Sequence, residues 1–190
     1  TLMRNHLGGV EGRKLERGDR IGFISAKTQL LFMERRQIPQ ETFPQKEITL
    51  RVITGPQDTE FTEEEIRKFF WYSAEITQEF DRMGCRLKRE EPIKHRGDGN
   101  IISDGIAFGS IQVPTKGQPI IMLADRQSTG GYTKIGTVIS VDLPKLVQSV
   151  PGCRIRFIRV GIHLAQNLYL RQLHEFKNLE NILVSCPDHN

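Results

Sequence analysis

Cysteine and histidine are scarce and widely spaced in this sequence of 190 residues. The cysteines are Cys85, Cys153 and Cys186, so no CxxC pair exists, and the 5 histidines show no HExxH spacing. This spacing excludes a zinc knuckle and a disulfide framework. Free thiols in a reducing cytoplasm are the simplest account, and no metal site is predicted.

Long apolar runs and blocks of one charge are also absent. No stretch approaches the length of a membrane span, and no signal-peptide pattern opens the sequence. The formal net charge of +4 comes from 27 Lys and Arg against 23 Asp and Glu, which are spread along the chain. A mild basic excess suits anionic small molecules or a negatively charged protein surface better than nucleic acid. We therefore predict a cytoplasmic protein that binds neither membranes nor nucleic acids.

The apolar residues that are present alternate with polar ones over short segments. Residues 48–53 and 154–160 follow the period of half-buried strands, and the second segment has one basic face. Many such segments, separated by turn residues and without a βαβ rhythm, predict a mainly β protein with a few α-helices. A mostly antiparallel sheet that curls or closes is the expected architecture.

Helical patterns are few. Thr62 and Glu65 form a capping-box sequence before a helix that presents Ile66, Phe69 and Phe70 on one face. Asp142 is expected to cap a short helix that contains Pro144. Apolar residues at helical spacing from residue 162 onward predict an amphipathic C-terminal helix, which either lies on the barrel or docks a partner.

These patterns predict four segments. Residues 1–32 are expected to be N-terminal strands, including one at 20–24, and the polar, proline-bearing residues 33–47 a linker. Residues 48–160 are expected to form the β core. Residues 161–190 are the predicted amphipathic helix and tail.

A polar stretch between two apolar segments is the main candidate for function. Residues 123–136 carry Asp125, Arg126, Gln127, Thr129, Gly130, Gly131, Tyr132 and Lys134 between the predicted strands 119–123 and 135–141. The glycine pair could adopt positive φ angles and cradle an anion with its N–H groups. The alternative is an ordinary solvated hairpin loop.

A second candidate is the turn that contains Asp81 and Arg82. Its carboxylate and guanidinium could pair with each other or with a ligand, and structural pairing is at least as plausible from the residues alone. Gln112, on a predicted strand, offers both a donor and an acceptor to an amide group.

Three segments together resemble the allophanate hydrolase subunit 2 family. They are GGVEGRKLERGD, SAEITQEFDRMGCRL and IISDGIAFGSIQVPTKGQPIIMLADRQSTGGYTKIGTVISVDLPKL, in the family's order and spacing. The family includes the C subunit of bacterial ATP-dependent 5-oxoprolinase, the antagonist of a sporulation-kinase inhibitor, and half of the carboxyltransferase region of urea carboxylase. The resemblance implies a cyclophilin-like closed β-barrel and action on a small amide, lactam or urea-like substrate.

The resemblance also implies partners and cofactors. A subunit 1-type protein and a lactam-opening subunit would complete the complex, ATP would be shared with that complex, and any biotin would arrive on another domain. The sequence departs from the family at Thr133, where proline is usual, and lacks both the family's N-terminal glutamine-aspartate-glycine-arginine motif and a Met-Lys biotin-attachment motif. Residues 1–32 are therefore expected to continue from an upstream part.

The resemblance and the residue chemistry together give the expected roles. Asp125, Arg82, Asp81 and Lys134 are the candidate catalytic residues. Asp125 would act as general base or orient the amide, and the two cations would anchor a carboxylate or phosphate. Substrate binding is assigned to Gln112, Arg126, Gln127, Thr129, Gly130, Gly131 and Tyr132.

Two functions of other kinds remain open. One is a carboxyltransferase part of a urea carboxylase-like enzyme. The other is a non-catalytic regulator that binds a kinase-inhibitor partner through the basic strand and the last helix. A peptidyl-prolyl isomerase follows only from analogy between folds.

Overall fold

The computed structural model describes residues 6–22 and 45–179. The chain divides into two compact units, one made of residues 1–38 and 181–190 and the other of residues 39–180. Most of the predicted linker lies outside the described residues, and the predicted segment boundaries stay predictions.

In the first unit, the described residues form turns. The Arg13 guanidinium donates to both carboxylate oxygens of Asp19, at 2.9 and 2.8 Å, and Asp19 also accepts the Glu16 N–H. These hydrogen bonds lower the pKa of Asp19 to about 2, and the bond from Arg13 has the largest effect. The prediction of a strand over 20–24 is wrong for residues 20–22, which are not paired as a strand, and residues 23 and 24 lie outside the described part.

The second unit contains eight described strands and three described α-helices. The strands are β1 (Glu47–Thr54), β2 (Ala74–Phe80), β3 (Gly84–Lys88), β4 (Asn100–Gly105), β5 (Ser110–Val113), β6 (Ile120–Met122), β7 (Thr129–Val138) and β8 (Arg154–Arg159). The helices are α1 (Glu63–Trp71), α2 (Leu143–Val147) and α3 (Ile162–Lys177).

Seven of these strands close into a barrel. The sheet order is β1-β8-β2-β3-β6-β5-β7-β4, and β1 also pairs with β7, so β4 lies outside the closed ring. Every described pairing is antiparallel except β1 with β8. The predicted mainly β, closed and mostly antiparallel barrel is confirmed.

Alternation along the strands builds the core. In β8, Ile155 and Phe157 are buried while the neighbouring arginines are exposed, as the sequence predicts. Helix α1 packs on this strand, with the Phe69 ring stacked on the Phe157 ring at a centroid distance of 4.5 Å. Burial of these apolar side chains is the main force that holds α1 on the barrel.

Of the two predicted helix caps, the structure confirms the one at Thr62 only in part and does not contain the one at Asp142. The Thr62 hydroxyl accepts the Glu65 N–H at 3.2 Å, as predicted, but the Glu65 carboxylate accepts the Lys94 N–H instead of returning to Thr62. Asp142 does not cap α2 with its side chain. Its fully buried carboxylate binds Arg51 instead, accepting from the backbone N–H and twice from the guanidinium. The predicted Asp142 side-chain cap is therefore wrong, because a buried carboxylate is held best by a cation.

Helix α3 is amphipathic, but little of it is buried. Ala165 is its one buried residue, whereas Ile162, Tyr169, Leu173 and Phe176 are at least partly exposed along one side. Among residues 6–22 and 45–179, no helix has both the length and the apolar character needed to cross a membrane.

Candidate functional site

The polar stretch does not form a loop over its whole length. Strand β7 begins at Thr129, so Gly130, Gly131, Tyr132 and Lys134 lie within a strand that pairs with β4 and β5. Neither glycine has a positive φ angle. The predicted anion cradle at Gly130 and Gly131 is therefore wrong, because a cradle of successive N–H groups needs a turn conformation and both glycines lie in an extended strand.

Close packing explains why a glycine occupies position 130. A Cβ atom at Gly130 would lie 2.8 Å from Ile106 Cδ1 and 2.9 Å from Gln112 Nε2. Both side chains are buried, Ile106 at 5% and Gln112 at 4% exposure. The absent side chain at position 130 is what allows the Gln112 carboxamide to lie against β7.

Arg82 and Asp125 form a bidentate ion pair. The guanidinium donates from Nε and a terminal nitrogen to the two carboxylate oxygens at 2.7 and 2.9 Å. The two residues are also joined by a backbone hydrogen bond, in which the Asp125 N–H donates to the Arg82 carbonyl at 2.8 Å. The pair therefore joins the β2–β3 turn to the segment after β6.

This pairing changes what the two residues can do chemically. The hydrogen bonds from Arg82 lower the pKa of Asp125, which makes its carboxylate a weaker base. The neighbouring Asp81 carboxylate accepts the N–H groups of Met83 and Gly84 and shapes the turn. The catalytic roles of Asp81, Arg82 and Asp125 stay predictions.

Of the other side chains predicted to bind substrate in this stretch, that of Arg126 contacts neighbouring backbone and the rest are exposed to solvent. The Arg126 guanidinium donates to the carbonyls of Ile106 and Leu123 and lies over the Phe108 ring at 5.7 Å. Gln127, Thr129 and Tyr132 are exposed. Arg126 thus supports the local backbone, and the substrate-binding roles of all four residues stay predictions.

An apolar cavity of about 470 Å³ adjoins the Arg82 turn. Its lining residues are Phe80, Asp81, Arg82, Phe108, Leu123, Ala124 and Val147. This cavity has the size of a small-molecule pocket, with charged groups at one side only.

A second cluster is centred on Lys134. Its side chain is only 1% exposed, and its ammonium donates to Asp104 Oδ2 at 2.9 Å, while the Asp104 side chain is 52% exposed. Gln57 Nε2 donates to the same Oδ2 at 3.0 Å, and Gln57 Oε1 accepts the Lys134 N–H. A fully buried lysine is rare in proteins unless a partner compensates its charge.

Gln112 belongs to this second cluster. It faces Lys134 directly in the β5–β7 register, which places the two side chains on the same side of the sheet. The register shifts next to this pair, as in a β-bulge, a feature that re-aims side chains near functional sites. The ammonium of Lys134, the carboxamide of Gln57 and the carboxylate of Asp104 thus form one hydrogen-bonded group, and the strand register places Gln112 next to it.

The electrostatics of the second cluster favour an ionised carboxylate. The hydrogen bond from Lys134 is the largest cause that lowers the pKa of Asp104, followed by those from the Gly105 N–H and from Gln57. Asp104 and Gln57 were not among the residues predicted from sequence. Their only signal was polarity beside a strand end, which many surface residues share.

Comparison with known proteins identifies the family. A model described as the carboxyltransferase domain, subdomains A and B, matches residues 1–159. The chain belongs to this family. The resemblance noted from the sequence motifs is thereby confirmed.

Two bacterial relatives are named as the C subunit of 5-oxoprolinase. The Haemophilus influenzae protein is 34% identical over 194 residues, which cover 95% of this chain and 58% of the relative. The Escherichia coli protein is 32% identical over 180 residues, which cover 94% of this chain and 56% of the relative. The chain therefore spans little more than half the length of these relatives.

Larger fungal enzymes contain a similar domain. The urea amidolyase of Saccharomyces cerevisiae is 28% identical over 196 residues, covering 95% of this chain and 11% of that protein. The crystal structure of the Kluyveromyces lactis urea amidolyase superposes with a TM-score of 0.68 at 25% identity, covering 73% of this chain and 9% of that one. The carboxyltransferase-family barrel therefore occurs both as a named subunit and inside a multidomain enzyme.

Proposed function

We propose that this chain is part of an enzyme that acts on a small amide or lactam, of the type of the 5-oxoprolinase C subunit. The observation that carries the proposal is the second cluster, in which the buried Lys134 ammonium and the Gln57 carboxamide meet at Asp104 Oδ2, with Gln112 opposite Lys134 in the neighbouring strand. An ammonium and two carboxamides complement a compound that presents a carboxyl group and an amide, as 5-oxoproline does. The identities of 34% and 32% with proteins named as the C subunit of 5-oxoprolinase support the same choice.

In such a reaction the described residues would bind and orient the substrate. Attack of a nucleophile on the lactam carbonyl carbon places negative charge on the carbonyl oxygen, and the C–N bond then breaks as the nitrogen takes up a proton. Lys134 and the carboxamide of Gln57 can stabilise that charge, because fixed donors in a water-poor site act strongly on a developing anion. An ammonium has three N–H donors, so Lys134 can serve the substrate carboxylate and this carbonyl oxygen together. The Arg82–Asp125 pair fixes the neighbouring segment and the edge of the apolar cavity.

ATP would supply the driving force by transferring its terminal phosphoryl group to the carbonyl oxygen of the substrate, with ADP as the leaving group. The described residues do not favour ATP binding at the glycine pair, because both glycines lie in a strand without positive φ angles and Gly130 is paired with Asp104 of β4. We therefore assign nucleotide binding to another part of the complex. A subunit 1-type protein and a lactam-opening subunit are the proposed partners, and a cytoplasmic location stays a prediction.

A carboxyltransferase acting on urea is the second candidate. The observation that favours it is the superposition on the Kluyveromyces lactis urea amidolyase at a TM-score of 0.68. Biotin would then be delivered by another domain, and the carboxamides of Gln57 and Gln112 would bind the urea N–H and C=O groups. Urea has no carboxylate, so this function would leave the Lys134–Asp104 ion pair intact.

Turnover by a reconstituted complex separates these functions. The chain is co-purified with a subunit 1-type protein and a lactam-opening subunit, and glutamate formation from 5-oxoproline is measured with and without ATP. Urea, with carboxybiotin supplied, is the parallel substrate. We expect ATP-dependent glutamate formation. Consumption of urea alone would favour the carboxyltransferase, and turnover of neither substrate by an intact complex would favour a non-catalytic regulator.

A further inference from the structure

One oxygen atom of the second cluster receives two side-chain donors. Lys134 Nζ lies 2.9 Å from Asp104 Oδ2, and Gln57 Nε2 lies 3.0 Å from the same atom. The other oxygen, Oδ1, accepts the Gly105 N–H at 2.7 Å. The position of Oδ2 is therefore built to hold an anionic oxygen, with a full charge on one side and an amide donor on the other.

The two ends of this ion pair differ greatly in burial. The Lys134 side chain is 1% exposed, whereas the Asp104 side chain is 52% exposed and belongs to β4, which lies outside the closed barrel. Asp104 can leave and be hydrated at little cost. Lys134 cannot follow it, and a buried ammonium without a partner is strongly unfavourable. The ammonium is thus a fixed receptor, and the carboxylate is its exchangeable occupant.

We propose that the position of Asp104 Oδ2 is an anion subsite in which Asp104 stands in for a carboxylate ligand. A small carboxylate takes the oxygen position between Lys134 Nζ and Gln57 Nε2, and Asp104 turns outward into water. No bond is made or broken in this exchange. The geometry alone predicts that the subsite takes a small monocarboxylate. Only the identity of its natural ligand rests on the proposed function.

The exchange also explains the need for a counter-ion on an edge strand. With Asp104 in place, the site is closed and the ammonium is compensated while no ligand is bound. A ligand must compete with this internal carboxylate, so its apparent affinity is its intrinsic affinity multiplied by the small fraction of molecules in which the site is open. Removal of the internal carboxylate should therefore strengthen the binding of an external one.

Chemical rescue of Asp104→Ala tests the subsite without any natural substrate. The thermal midpoint of the whole chain is measured with increasing acetate, against chloride at equal ionic strength and against neutral acetamide. We expect a saturable rise of at least about 2 °C with acetate in Asp104→Ala. The double variant Asp104→Ala/Lys134→Met should respond as it does to chloride, and the wild type should respond only at acetate concentrations roughly tenfold higher than those that Asp104→Ala needs. An acetate response no larger than that to chloride, or one retained in the double variant, overturns the proposal.

Asp104→Asn provides a second route if the alanine variant does not fold. The resonance of the Lys134 ammonium is followed by NMR during an acetate titration. We expect the variant to show the shift at roughly tenfold lower acetate than the wild type. The absence of any shift refutes the subsite. Acetate rescue without turnover of 5-oxoproline by the complex would leave the subsite standing and refute the proposed function alone.

Discussion

Alanine substitution at Gly130 and at Gly131 distinguishes a strand from an anion cradle. A Cβ at Gly130 would lie 2.8 Å from Ile106 Cδ1 and 2.9 Å from Gln112 Nε2, whereas one at Gly131 meets only the Ile101 carbonyl oxygen, at 3.2 Å. The first substitution forces two buried side chains to move. The second needs a shift of a few tenths of an ångström.

The expected free energies of unfolding follow from this contrast. Overpacking makes Gly130→Ala less stable by about 2 kcal/mol. Gly131→Ala gains from the reduced freedom of the unfolded chain, by roughly 0.4–1 kcal/mol, which offsets its mild contact. Its net change should stay within about 0.5 kcal/mol of zero. Urea denaturation measures the free energy of unfolding of both variants. We expect the slope of that free energy against urea concentration to be the same as for the wild type.

Equal losses of stability at the two positions would refute the strand conformation. A cradle requires positive φ angles, and alanine at either glycine would then be strained to a similar degree. In the reconstituted complex, Gly130→Ala should also raise KM, because the displaced Gln112 carboxamide no longer lies in its binding position. Gly131→Ala is the matched control for that measurement.

Three further substitutions test the barrel and the Arg82 turn. Gly136→Ala should lower stability by about 2–3 kcal/mol in urea denaturation, because its Cβ would lie 2.8 Å from a backbone carbonyl where β1 closes on β7; a neutral effect would contradict the closure. Asp142→Asn should cost about 3 kcal/mol at neutral pH by leaving Arg51 without its counter-ion. Burial raises the pKa of Asp142, but the Arg51 hydrogen bonds outweigh it and the net shift is downward. The wild-type advantage should therefore be complete above the ordinary carboxyl range, near pH 4, and disappear as acid protonates Asp142; an advantage that persists in acid would contradict this. Arg82→Gln should abolish the pairing with Asp125 while the thermal midpoint changes little, since the pair is exposed; a large loss of stability would show that the pair is structural.

Local pattern was enough to predict a mainly β protein with a mostly antiparallel sheet, and parts of its elements. The alternation in β8 and the spacing of Ile66 and Phe69 in α1 report burial directly, because each residue's face depends only on its neighbours in sequence. The number of short strands without helical crossovers predicted a sheet that curls or closes, and its closure into a barrel was implied by the resemblance to the family. Thr62 was recognised as a cap because capping is also local.

The candidate site depended on register, which sequence pattern does not give. Lys134 meets a carboxylate 30 residues away and a carboxamide 77 residues away. The glycine pair looked like a loop because glycine is permissive, and only pairing with β4 decides its conformation. Arg89 likewise gave no signal in the sequence, yet it is 4% exposed and donates to carbonyls at the end of α1.

Glutamate formation by complexes containing the wild-type chain or Lys134→Met tests most directly whether the Lys134 ammonium is the main donor to the substrate oxygen. Loss of one such donor typically lowers kcat by about 100-fold or more. Co-elution of the three proteins shows whether the variant complex is intact. We predict an intact complex whose rate of glutamate formation from 5-oxoproline falls by at least about 100-fold. An intact complex that keeps the wild-type rate would contradict the role of Lys134.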